Sequence, residues 1–291
     1  MPGNLARSSL CWLDRAQRRT CTYKSGVVNY PNNNGAAAMT STLAVLSLAV
    51  VAACSACAPL DVGSNLLWST DHESGTLNDW SSAPGGGVFE DSVNSPVQVV
   101  AGPAHSGRFS LELSDLAASD TEGPGVYRDL ANAPDAYYSA WFYLPQTYVT
   151  RSKWTIEQFL NLASTNPVVY GHDFELALRA LPGGQVILFV FSHDPDYLQA
   201  PLTDPPALVP TGEWFQVETY FRPRSDETGE LLVWLNDRLV YDIEDRRTLG
   251  QGDLVWTLSS QAEDVTPTPT LYIDDAAISL SQVTTHGKLH E

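Results

Sequence analysis

The chain has 291 residues, of which 43% are hydrophobic and 10% aromatic, enough for a substantial packed core in one large domain or two small ones. Charged residues make up only 17% with a net charge of −18, which disfavours nucleic acid and anionic membrane surfaces and counts against a polyanionic glycan unless local Arg, Lys or a metal reverses the field. All four cysteines (Cys11, Cys21, Cys54 and Cys57) lie at or before position 57, so the remainder has no disulfide framework, thiolate metal site or cysteine nucleophile.

Residues 41–53 form a short apolar run that ends at Cys54. A spanning helix needs about 20 apolar residues, so this run fits the apolar region of a signal peptide instead. Val51-Ala52-Ala53-Cys54 resembles the lipobox of bacterial lipoproteins. That resemblance implies acylation of Cys54 and a chain tethered to the cell envelope outside the cytoplasm, with Cys57 as a second candidate. Basic residues ahead of the run are sparse, Lys24 being the nearest and Arg18 and Arg19 more distant. Met39 stands directly before the run, and residues 1–38 show no hydrophobic period, as expected of an over-extended start. Five basic residues and one acidic residue precede Cys54, so the mature net charge is −22. Residues 54–65 read as a tether.

Short strands separated by turn clusters follow, with no convincing amphipathic helix. The expected strands are Leu66–Thr70, Val97–Ala101, Arg108–Leu113, Val126–Leu130, Tyr137–Leu144, Trp154–Leu162 and Asp173–Leu181. After these come Gln185–Ser192, Trp214–Arg222, Leu231–Leu235, Leu239–Ile243, Leu254–Ser259 and Thr270–Leu280. Separators rich in Gly, Pro, Asp and Asn, such as Gly85-Gly86-Gly87 and Pro182-Gly183-Gly184, punctuate them. About a dozen strands at this spacing indicate an all-β antiparallel sandwich or jelly roll, over residues 66–282 with a tail at 283–291. His193–Gly212, with five prolines, reads as a strand-free surface loop.

Glu213 to Tyr241 carries the clearest pattern, a meander with an Asn236-Asp237 corner. Phe215, Val217, Thr219 and Phe221 alternate with Trp214, Gln216, Glu218, Tyr220 and Arg222, which marks one core face and one free face. In Tyr137–Leu144 the free side holds Ser139, Trp141 and Tyr143; in Asp173–Arg179 it holds Asp173, Glu175 and Arg179. Aromatic rings beside hydrogen-bonding groups suit a sugar, whose C–H face stacks while its hydroxyls bond to amides, carboxylates and guanidinium groups. Trp141, Tyr143, Glu175, Arg179, Trp214, Gln216, Glu218 and Tyr220 are therefore the expected glycan-binding residues. Ordinary outer residues of a sandwich are the plainer alternative. Gln158 interrupts an apolar alternation of Trp154, Ile156, Leu160 and Leu162.

Five stretches together resemble the concanavalin A-like lectin/glucanase superfamily, and within it the heparin-lyase-like polysaccharide lyase group. They are Trp68 to Trp80, Ala104 to Ser110, Tyr137 to Pro145, Gly212 to Glu218, and Leu271 to Ser279. The resemblance implies two stacked antiparallel sheets, one of them cupping a polysaccharide, with the first and last strands side by side. Asp71 and Glu73 would then approach Asp274 and Asp275, a set of hard oxygen ligands suited to Ca²⁺.

Three functions are compatible with this. A retaining glycosidase needs paired carboxylates, and Asp173-Phe174-Glu175 lacks the next one because Ala177 occupies its place. A lyase working by β-elimination on a uronate needs a carboxylate neutraliser, a base and an acid. Gln158, at a position where the lyase group often carries Gln, is the candidate neutraliser. His172 or His193 would be the base, Tyr143 or Tyr220 the acid, and Arg179 the carboxylate clamp. A glycan-binding lipoprotein without catalysis needs only the aromatic-polar face, and a non-glycan envelope lipoprotein needs neither.

Overall fold

Period-two alternation builds this chain, and the computed structural model describes residues 65–82, 85–89, 94–116, 123–150, 152–165, 168–181, 183–193, 196–198, 201–202, 206–250 and 252–283. Side chains at 150, 162–165, 168–173, 193 and 196–198 are outside the description. Cys54, the expected lipidation site, lies outside the described residues, as do the signal region and nearly all of the tether.

The described residues contain strands and no helix. In chain order these are β1 (Leu66–Thr70), β2 (Gly86–Phe89), β3 (Val97–Ala101), β4 (Phe109–Ser114), β5 (Gly125–Leu130) and β6 (Ala136–Tyr143). Next come β7 (Val149–Thr150), β8 (Trp154–Thr165), β9 (Val168–Ala180), β10 (Val186–His193), β11 (Asp196–Leu198) and β12 (Leu208–Val209). The last are β13 (Trp214–Arg222), β14 (Gly229–Leu235), β15 (Arg238–Arg246), β16 (Asp253–Ala262), β17 (Val265–Thr266) and β18 (Thr270–Ser279).

Two antiparallel sheets form a jelly-roll sandwich. The first has the order β15-β14-β13-β6-β18-β4-β3, with β1 also on β18. The second has the order β11-β10-β9-β8-β16-β5-β2, with β12 on β10. β1 pairs with β18 through Thr70 opposite Ala276, so the first and last strands do lie side by side. The Asn236-Asp237 corner closes the β14–β15 hairpin with both residues at positive φ (49° and 62°), the geometry of a tight hairpin turn that Asn and Asp tolerate. One expectation fails: the segment His193–Gly212 is not strand-free, because β11 and β12 both add to β10. Leu208–Val209 has the apolar character for this, masked in sequence by the prolines on either side.

Inward residues fall where alternation places them. Phe215, Val217 and Phe221 of β13, Tyr138, Ala140 and Phe142 of β6, and Phe174, Leu176 and Leu178 of β9 are all buried between the sheets. Phe221 stacks on Phe159 across the sandwich with centroids 4.3 Å apart. Trp256 lies 5.4 Å from Tyr138 and 6.0 Å from Trp80. Each such ring contributes about 1.5–3 kcal/mol by leaving water. The same interior keeps the outer faces of the two sheets apart, since stacked sheets are about 10 Å from one another.

Candidate functional site

β8 carries the decisive local event. Trp154 and Ile156 point into the core, and Thr155 points out. The register against β9 then slips: Thr155 faces Ala177, but Glu157 faces Leu176. This bulge makes Ile156 and Glu157 consecutive inward residues and turns Gln158 outward. Strict alternation had put Gln158 on the side of Trp154 and Ile156, and that assignment is corrected here. The polar insertion shares its face with Thr155 because one residue of the strand is not counted in the pairing.

Gln158 thus joins a row that crosses the second sheet, in which Glu175, Gln158 and Thr257 are themselves buried and the flanking Phe191 and Tyr127 are partly exposed. Phe191 of β10 opposes Glu175 of β9, which opposes Gln158 of β8. Gln158 opposes Thr257 of β16, and Thr257 opposes Tyr127 of β5. Five neighbouring strands at about 4.8 Å spacing make a row about 19 Å long, polar in the middle and aromatic at both ends. Its members are connected: Thr257 Oγ1 lies 3.2 Å from Gln158 Oε1, to which it donates, and Gln158 Nε2 lies 3.4 Å from Gln261 Oε1. Glu175 accepts hydrogen bonds from Lys153 Nζ at 2.6 Å and Thr155 Oγ1 at 2.8 Å.

Cations line this face in spite of the acidic chain. The Lys153 ammonium, with its side chain 28% exposed, also sits 5.3 Å from the Phe191 ring centroid. Arg179 lies on the same side of β9 and covers Phe189 at 5.0 Å. Both pairings hold a cation over an aromatic ring at the outer surface of β10. At the far edge Asp129 has its pKa raised by burial, partly offset by Arg128 and reinforced by Asp253.

The outer face of the first sheet is different. Trp214, Tyr143 and Trp141 cluster near one end, with Trp214 5.4 Å from Tyr143. Tyr137, Tyr220 and Trp234 cluster near the other, with Tyr137 5.0 Å from Tyr220. His105 stacks on Trp141 at 3.7 Å, so one face of that indole is already covered. Gln216 and Glu218, expected on a free face, are buried. The chain end covers them: Gln216 Nε2 donates to the Val283 carbonyl at 3.2 Å, and the Val283 N–H donates to Glu218 Oε1 at 2.5 Å. Burial pushes the Glu218 carboxyl up to about 8, against the opposing pull of the Val283 N–H.

The expected site residues therefore divide between two surfaces. Gln158, Glu175 and Arg179 share the second sheet, whereas Trp141, Tyr143, Trp214, Gln216, Glu218 and Tyr220 lie on the first. Tyr143 and Tyr220 cannot serve as the acid for chemistry at Gln158, because the packed core stands between them. His172 pairs through its backbone with Leu160 on β8, and its side chain, like that of His193, lies outside the described residues.

At the acidic corner the four carboxylates are engaged by protein donors. Asp274 accepts from the backbone N–H groups of His105 (2.8 Å), Ser106 (3.2 Å) and Asp275 (2.9 Å), and its Oδ1 lies 3.4 Å from His72 Nδ1. Asp275 meets His105 Nδ1 at 2.6 Å and accepts from Ser106 Oγ at 2.9 Å. Glu73 accepts from the N–H groups of Arg108 and Phe109 at 2.6 and 2.8 Å, and Asp71 from that of Glu73 at 3.0 Å. Among the described residues no group of three or more His, Cys, Asp or Glu is placed to hold a metal. These bonds pin the 103–109 loop onto β18.

With that geometry in place, the comparisons with known proteins can be read. No family model matches the sequence, and no curated protein matches it. Solved structures do. An endo-β-1,4-glucuronan lyase from the fungus Trichoderma reesei aligns over 76% of this chain and 98% of its own at 14% identity, with a TM-score of 0.55. The cellulose-induced protein Cip1 aligns over 74% and 98% at 16% identity and a TM-score of 0.52. An alginate lyase, Aly36B, solved with an alginate trisaccharide, aligns over 74% and 98% at 13% identity and a TM-score of 0.51. The fold is one that polysaccharide lyases use. At these identities the likeness is one of fold.

Several residues of the second-sheet face are not singled out by the sequence: Thr155, Thr257, Gln261, Phe189 and Phe191. A signal for two of them was present. Thr257 and Gln261 alternate with the inward Trp256, Leu258 and Ala262, so β16 has a polar side as regular as that of β13.

Proposed function

We propose that this protein binds an acidic polysaccharide across the outer face of its second sheet, tethered outside the cytoplasm through Cys54. The observation that carries this reading is the cross-strand row Phe191–Glu175–Gln158–Thr257–Tyr127, with Lys153 and Arg179 at its cationic end. Aromatic ends offer stacking surfaces, the amide and hydroxyl centre offers bonds to sugar hydroxyls, and the two cations offer partners for a uronate carboxylate. Arg179 supplies positive charge here beyond the Lys153–Glu175 pair, which an acidic chain needs for an acidic ligand. The similarity of fold to a glucuronan lyase and an alginate lyase supports the same ligand class.

A second reading, β-elimination on the bound uronate, is favoured by Gln158. Its amide stands at the middle of the row, where a neutral donor can stabilise the charge that develops on the carboxylate as the neighbouring carbon loses its proton. The two readings separate in one experiment. Purified protein is incubated with alginate, pectate and glucuronan, following both co-sedimentation or gel retardation and the absorbance of an unsaturated product. Retention with a flat absorbance trace supports binding alone, and a rising trace supports the lyase. No retention on any member of the panel overturns both.

A further inference from the structure

Glu157 is a carboxyl buried in the interior of the sandwich. It is 1% exposed and sits between the sheets, where Trp256 Nε1 donates to its Oε1 at 2.8 Å and Thr219 Oγ1 lies 3.5 Å from its Oε2. A carboxyl in such a place loses its hydration and recovers only two bonds, one of them long. An apolar side chain would fill the space at lower cost. Glu157 is also the residue at which the β8 register slips, and Gln158, its neighbour, is the residue that the slip turns outward. Bulges in sheets commonly re-aim a side chain next to a functional site.

We infer that Glu157 is a positioning residue: tied to Trp256 and Thr219, it anchors the bulge of β8 and so presents Gln158 to the ligand row of the second sheet. One tie comes from the opposite sheet and the other from the inward side of a strand that also lines the ligand face. Thr219 belongs to β13 of the opposite sheet, and Trp256 is the inward neighbour of Thr257, which itself bonds Gln158. The carboxyl therefore clamps β8 from beneath at the point where β16 clamps Gln158 from the side. This inference rests on the glycan reading of the face.

A pH signature accompanies the clamp. Burial pushes the Glu157 carboxyl up to about 8, with the Trp256 and Thr219 bonds opposing. The Tyr138 hydroxyl of β6 is buried without a hydrogen-bond partner, and its own pKa is raised by burial and by the charges of Asp135 and Glu157. Through about pH 8 the carboxyl ionises inside the core; its two bonds favour the charge, but the lost hydration does not, and the packing that holds the bulge is destabilised.

The test uses the full chain and its Glu157→Gln, Glu157→Leu, Gln158→Ala and Glu218→Gln variants, with alginate, pectate and glucuronan as probes between pH 6.5 and about 9.5. Wild type is expected to lose affinity across about pH 8, Glu157→Gln to lose that step and keep its affinity, and Glu157→Leu to bind at least about tenfold more weakly. Glu218→Gln is expected to retain the step, because Glu218 lies on the other sheet. A second readout needs no ligand: the side-chain amide resonances of Gln158, assigned by their loss in Gln158→Ala, shift in Glu157→Leu. An unshifted amide overturns the inference. So does a step that persists in Glu157→Gln, which also decides the case where Glu157→Leu does not fold. If Gln158→Ala binds every probe as wild type does, the glycan reading fails and the amide shift alone judges Glu157.

Discussion

The two outer faces of this sandwich are built from the same alternation and end in opposite conditions. On the first sheet the large rings dominate, and the polar centre formed by Gln216 and Glu218 is closed by the backbone of Val283. On the second sheet the rings stand at the ends of a row, and the centre is a chain of amide, hydroxyl and carboxylate groups, buried too but bonded to one another across strands beside a partly exposed ammonium. A face rich in tryptophan is thus not the face with the better ligand chemistry. What distinguishes a binding surface here is polar groups held in register across strands, together with a charge that suits the ligand.

The largest expected effect tests whether the two faces share one core. Phe221→Ala removes the ring stacked on Phe159 and should cost about 3–5 kcal/mol, read from the midpoint of urea unfolding. Loss of that size with glycan affinity gone at once indicates a shared core. A variant that unfolds in two separate steps would contradict it.

Next comes the exchange between faces. Gln158→Ala combined with Lys153→Ala should weaken uronate binding by about 1–3 kcal/mol, measured where the variant is still folded. Trp214→Ala should leave the affinity within about twofold, because its ring is on the other side of the sandwich. Titrations of the three proteins with alginate or glucuronan decide the matter. If Trp214→Ala abolishes binding and the double variant does not, the two surfaces exchange roles.

Much of this was legible in the sequence, and the failures have physical causes. The alternation in β13 named its core residues correctly, and the Asn236-Asp237 corner named its hairpin, because both are local patterns. Gln158 was singled out as an odd polar group, but its side of the strand was misassigned since a bulge leaves no mark in a period-two count. Glu218 was read as free because the chain end that covers it is 65 residues further on, and alternation says nothing about distant cover. The division of site residues between two sheets depends on strand order, which local patterning does not encode. Lys153 stands beside its strand in the sequence, and only the pairing of β8 with β9 brings it to Glu175.

A further prediction concerns pH, and it separates the faces again. Both Glu157 and Glu218 have carboxyl pKa values raised to about 8 by burial. A raised carboxyl pKa means that the folded state holds a proton which the unfolded chain has released. Stability should therefore fall as pH rises from about 4.5, the unfolded value, to about 8, and level off above it. Each group contributes a slope of at most about 1.4 kcal/mol per pH unit. Urea midpoints measured from pH 5 to pH 9 should show this decline in wild type. Replacing either carboxyl by Gln should reduce the slope by one group, and an unchanged slope in both variants would mean that neither group stays protonated in the folded protein.

The least effect is expected at the rim of the first face. Arg222 pairs with Glu230 at 2.9 Å and approaches Asp135 at 3.4 Å, yet its side chain is 37% exposed. An ion pair in that much water contributes about 0.2–1 kcal/mol, and salt screens it further. Glu230→Gln should thus move the urea midpoint by no more than the equivalent of about 1 kcal/mol, and the shift should shrink as salt is raised. The comparison matters because Lys153–Glu175 on the second face is also an ion pair, with its carboxylate buried and the cation 28% exposed. Leaving Glu175 without Lys153 strands a buried carboxylate, so Lys153→Ala should cost more than Glu230→Gln and respond less to salt. Equal, salt-sensitive costs at the two pairs would show that Glu175 is as well hydrated as the rim, and the row through Gln158 would then lose the buried anchor at its cationic end.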